Sequence, residues 1–209
     1  MARVASAPRG SKAPPRAWQR MLSGRRLDLL DPSPIDVELE DIAHGLARVA
    51  RWNGQTRGAH VFSVAQHSLL VEAVARRLAP ETTRETRLGI LLHDAPEYVI
   101  GDMISPFKAV IGDVYKDTER RLAAAVRLHF GLSAAPPRAE AALAKRADRT
   151  AAFLEATRLA GFSEAEARRF FGTPEGAPPD LEAWLPPWPA DDAARRFKER
   201  CKELAHPSP

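Results

Sequence analysis

The chain has 209 residues, 44% of them hydrophobic and 28% charged, with a formal net charge of +4 and a single cysteine, Cys201. That length suits one compact core, no apolar run approaches the roughly 18 residues a membrane-spanning helix needs, and a lone cysteine excludes an internal disulfide and speaks for a reduced, cytoplasmic setting. Much of the positive surplus lies in residues 1–20, which hold no acid, so the folded surface gives no ground for a nucleic-acid or membrane partner.

Residues 1–16, dominated by Pro, Gly, Ser and Lys with no apolar period, read as a disordered basic tail. Their acid-poor, Arg- and Ser-rich composition is also that of an organelle transit peptide, although no apolar face supports it. A domain is placed at 17–171, followed by a Pro-rich segment and a C-terminal helix over 172–209. Within "GRRLDLLDPSPIDVELEDIAHGLARVARW", a short extended piece and a turn broken by Pro32 and Pro34 precede a helix expected from about Glu38 to Trp52, with Ile42, Leu46 and Val49 on one face.

After the loop "NGQTRGAH", Val64, His67, Leu70, Val71, Val74 and Leu78 recur at helical spacing, which predicts a helix from about Ser63 to Leu78. A third helix, from Pro80 or Glu81 to Glu97, turns Leu88, Leu91 and Leu92 inward. Residues 113–130 predict an amphipathic helix closed by Gly131, and "PPRAEAALAKRADRTAAFLEATRLAG" another, opened by Pro137 and stopped by Gly161. A short helix at 163–171, a Pro-rich stretch at 173–189 and a last helix near 191–204 complete the chain. With no Val/Ile/Tyr-rich strand pattern, the fold class is all-α, a helical bundle.

The stretch "GILLHDAPEYVIGD" carries ionisable groups at the end of an apolar helix. A buried carboxylate needs a cationic partner, and one of the chain's many arginines would serve. A lone inward His67 is likewise satisfied by ordinary core hydrogen bonding. His67, His93, Asp94 and Asp148, however, come from three helical stripes, and two imidazoles with two carboxylates suit one divalent transition ion, Mn, Co, Fe or Zn, with positions left for water.

"AQHS", "LLHDAPE", "GDMISPFK" and "KRAD" together resemble the HD-domain phosphohydrolase superfamily, most closely its small 5'-deoxynucleotidase branch, over about residues 35–160. "DIAHGLARVARWNGQT" and "FSVAQHSLLV" are also similar to the phage enzymes that strip triphosphate from deoxyadenosine triphosphate. The resemblance implies an HD-domain helical bundle with a central metal site, in which His67, His93, Asp94 and Asp148 hold the ion. It makes Glu97 and Asp102 the catalytic acids and Arg51 and Trp52 substrate-binding residues; Arg offers a planar fork to a phosphate and Trp a face to a sugar or base, and Lys108 is either a second substrate-binding cation or an ordinary surface lysine. The other histidines, at 44, 60, 129 and 206, do not make the extra cluster of two-metal relatives.

The implied reaction is hydrolysis of a nucleotide's phosphate ester, releasing phosphate from a deoxynucleoside monophosphate. The alternatives are a deoxynucleoside triphosphate triphosphohydrolase and a non-catalytic nucleotide sensor that keeps its metal for stability. The expected partner is a small-molecule nucleotide, and the branch's habit of pairing through helices implies a homodimer.

Overall fold

A computed structural model describes residues 16–104, 107, 110 and 113–205. The described chain enters through an antiparallel hairpin, β1 (Trp18–Arg20) and β2 (Arg26–Asp28), with Gln19 opposite Leu27. Strands of three residues are too short to show an alternating pattern, so the sequence announces only an extended piece there. A 3-10 turn at Pro34–Asp36, capped by the Ser33 side chain, leads to α1 (Leu39–Leu46).

α1 stops well short of the expected Trp52. The backbone turns away to an isolated bridge between Ala50 and Ser63 and a 3-10 turn at Arg51–Gly54, in which Trp52 and Asn53 hold φ of 57° and 51°. The cause is tertiary: Arg51 N–H donates to Phe62 O at 2.9 Å, and Val64 N–H donates to Val49 O at 3.0 Å. These bonds tie the arm 49–54 to the start of α2 (Val64–Leu78), where Ser63 Oγ accepts from Gln66 N–H at 3.2 Å as an N-cap.

α3 (Arg84–Leu91) begins after Thr83, whose hydroxyl accepts from Thr86 N–H at 3.2 Å. The helix expected to run unbroken to Glu97 is instead two pieces: His93 and Asp94 lie in a turn, and α4 (Glu97–Ile100) restarts after it. Pro96 accounts for the break, since it has no N–H to continue the ladder and disfavours helix in the residue before it. The remaining helices are α5 (Asp113–His129), α6 (Arg138–Arg158), α7 (Glu164–Phe171), α8 (Leu181–Trp184, inside the Pro-rich stretch) and α9 (Ala190–Ala205).

α2 is the axis of the bundle. Every residue from Val64 to Ala75 is buried, the polar Gln66, His67, Ser68 and Glu72 included, because α3, α6 and α9 pack against it. One part of the core joins Ile42 and Leu46 of α1 to Leu91, Leu122 and Phe197; the other joins Leu70 and Val74 of α2 to Phe62, Ile90, Ala151 and Leu154. α9 contributes Ala193, Phe197, Cys201 and Leu204 to the first of these, and burial of a side chain such as Phe197 contributes about 1.5–3 kcal/mol. A Cβ on Gly45 would stand 2.8 Å from Tyr98 Cβ and O, so glycine there lets α1 and α4 touch.

One buried side chain ties down the end of the Pro-rich stretch. Gln66, buried beside His67, donates from Nε2 to Trp184 O at 2.7 Å and Pro186 O at 2.9 Å, and accepts from Trp188 N–H at 2.9 Å. Among the described residues, no helix is long and apolar enough to cross a membrane.

Candidate metal centre

His67, His93 and Asp148 arrive from α2, from the turn after α3 and from α6, and each offers a donor atom within 4.8 Å of the others. His67 is fully buried, and its Nδ1–H donates to Glu155 Oε1 at 2.5 Å. Its Nε2 thereby faces Asp148 Oδ1 at 3.3 Å and Asp94 Oδ2 at 3.4 Å. His93 follows the same logic: Nδ1–H donates to Ile90 O at 2.9 Å, and Nε2 lies 3.1 Å from Asp94 Oδ2. Both rings are pinned through one nitrogen so that the other points at the Asp94 carboxylate.

The electrostatics fit a cation at this point. Burial and the nearby Arg51 charge work against a proton on His67, but Glu155, Asp148 and Asp94 outweigh them and raise its pKa well above that of a free imidazole. Burial works against charge on Asp94 and Asp148 too, yet the two histidines hold Asp94 well below the ordinary carboxylate range, and His67 lowers Asp148. Both Nε2 atoms are buried without a hydrogen-bond partner. Two imidazole nitrogens with carboxylate oxygens are a donor set for a divalent transition ion, and Asp148, 40% exposed, marks the side open to solvent. Among the described residues no second such group gathers.

Beside the centre stands the arm of Arg51 and Trp52. Arg51 Nη1 lies 3.3 Å from Asp102 Oδ2, and its Nε lies 3.5 Å from Glu155 Oε2. Burial alone would favour loss of the guanidinium charge, but Glu155, Asp102, Asp94 and Asp148 outweigh it, so Arg51 stays charged. Trp52 Nε1–H donates to Glu155 Oε2 at 2.9 Å, and its ring packs on Phe162 and Phe171 with centroids 5.6 and 5.9 Å away. Glu97 is buried at the start of α4, not on the helix that precedes His93, and its N–H donates to Asp94 O at 3.0 Å. Lys108 lies outside the described residues. Arg146, near Asp148 in sequence, pairs with Glu175 at 2.9 Å.

Sequence reasoning missed Glu155. It stands seven residues after Asp148, two helical turns along the same face of α6, within the apolar run "TAAFLEAT". An acid embedded in such a run is the signal that could have found it. Burial opposes its charge, but His67 and Arg51 hold its pKa below the ordinary value.

Comparison with known proteins matches residues 64–152 to the HD domain, a span that contains His67, His93, Asp94 and Asp148. HD domains bind divalent metals and are typically metal-dependent phosphohydrolases. Over 160 residues the chain is 62% identical to an uncharacterized protein of Rhodobacter capsulatus, an alignment that covers 77% of this chain and 82% of that one. The chain belongs to the same family as the Rhodobacter protein, and the residues of its candidate metal centre lie within an HD domain.

Proposed function

We propose that this protein is a 5'-deoxynucleotidase, a metal-dependent phosphohydrolase that releases phosphate from deoxynucleoside monophosphates. The observation that carries the reading is the convergence of two orphaned imidazole Nε2 atoms and two carboxylates beside a buried arginine that keeps its charge. His67, His93, Asp94 and Asp148 would hold the ion, which when bound supplies a Lewis acid and lowers the pKa of a water.

The remaining roles fall to the chain's own groups. Arg51 offers positive charge to the phosphoryl oxygens, where charge grows as the ester breaks. Asp102 orients Arg51 from 3.3 Å away and stands as one of the two proton-handling acids, with Glu97 the other. Trp52 presents its indole beside Arg51, where the sugar and base of a nucleotide would follow the phosphate.

The test is product analysis. Metal-stripped protein resupplied with Mn or Co is offered deoxynucleoside mono- and triphosphates, and orthophosphate, pyrophosphate and triphosphate are measured. Orthophosphate from monophosphates is expected. Intact triphosphate would replace this reading with a triphosphohydrolase, and no release with any metal would leave the nucleotide sensor.

A further inference from the structure

Glu155 is fully buried, and both its oxygens are engaged: Oε1 accepts from His67 Nδ1–H at 2.5 Å, and Oε2 accepts from Trp52 Nε1–H at 2.9 Å and lies 3.5 Å from Arg51 Nε. One carboxylate therefore touches a side chain of the candidate metal centre and both residues of the arm beside it. Trp52 needs such a hold. Its φ of 57° is a conformation that bulky side chains adopt only when tertiary contacts impose it. Beside the backbone bonds that anchor the arm, those contacts are the Glu155 bond and the rings of Phe162 and Phe171.

We propose that Glu155 is a positioning residue shared by the two halves of the site, setting His67 to face the metal and holding the Arg51–Trp52 arm in place for substrate. The inference rests on the metal-dependent reading above and deepens it. Its chemistry is specific, because both nearest partners are N–H donors and the position therefore requires two acceptor oxygens. Glutamine has nearly the same shape but one oxygen, so it satisfies one donor and confronts the other with an NH2 group. Aspartate keeps both oxygens and withdraws them by one methylene.

The experiment compares the full-length wild type with Glu155→Gln and Glu155→Asp. Mn affinity is measured by calorimetry. In the metal-free proteins, 15N NMR follows the indole N–H of Trp52, assigned with Trp52→Phe. The Gln variant should bind Mn about 10- to 100-fold more weakly, and its Trp52 indole resonance should already be displaced before metal is added. The Asp variant should keep more of both properties than Gln. Wild-type affinity with an unmoved indole overturns the proposal, as does a change confined to the same half of the site in both variants.

If Glu155→Gln does not fold, Glu155→Asp carries the same two readouts, and a change in only one of them, or in neither, overturns the proposal. A wild type that binds Mn but releases phosphate from no nucleotide sinks the reaction reading, while the two readouts still decide the role of Glu155. A wild type that binds no divalent ion overturns both.

Discussion

Arg51 Nη1 and Asp102 Oδ2 lie 3.3 Å apart across a separation of 51 residues, with side chains only 15% and 6% exposed. The guanidinium and the candidate acid are thus one buried pair. Charge-assisted hydrogen bonds of this kind contribute about 1.5–3 kcal/mol, so Asp102→Asn should lower kcat/KM for the released-phosphate reaction by roughly 10- to 100-fold. Steady-state kinetics beside the wild type checks this. Unchanged kcat/KM would show that Arg51 is positioned without Asp102.

Metal binding should compete with a proton on His67. Its pKa is raised above the ordinary 6.5 by Glu155, Asp148 and Asp94, against burial and Arg51. In the metal-free protein, the charged imidazole therefore contributes stability that is complete below about pH 6.5 and is lost as pH rises through the raised value. A cation at Nε2 must displace that proton, so affinity for Mn or Co should climb with pH until His67 is neutral, with proton release. Calorimetry in two buffers of different ionisation heat reads the release directly, and identical heats would refute it.

Gln66 makes three hydrogen bonds to the backbone of Trp184, Pro186 and Trp188. Gln66→Ala leaves those groups unpaired in a buried place, at about 1–3 kcal/mol for each one that water does not reach. We expect a total loss of about 3 kcal/mol, which for a chain of this size lowers Tm by roughly 6–12 °C. A thermal melt of the metal-free protein measures it. A Tm within a degree or two of wild type would mean that the Pro-rich segment is held by something else.

Cys201 is completely buried on α9 against the α1 side of the core, and burial pushes its thiol pKa up. The thiolate is the reactive form, so the native protein should be inert to an aromatic disulfide reagent and should titrate one thiol when unfolded in urea. Fast labelling of the native protein would show that α9 detaches readily from the bundle.

The local period of the chain determined most of the bundle. Apolar spacing of 3.6 is written into any run of residues that one helix buries, so α2 and α6, and with them the inward places of His67 and Asp148, were legible without any partner in view. Pro96 stood in the sequence too, but the helix was expected to run through it to Glu97; the break follows from its missing N–H. Tertiary structure alone decided what no period encodes. The chain left the helical path where Arg51 N–H found Phe62 O and Val49 O accepted from Val64 N–H, and the left-handed turn at Trp52 is held by that anchorage together with Glu155, Phe162 and Phe171. Glu155 has the same local sequence whether water or His67 receives its oxygens. The arrival of α2 against α6 makes it a buried acceptor, because burial and hydrogen-bond partners belong to the packed fold.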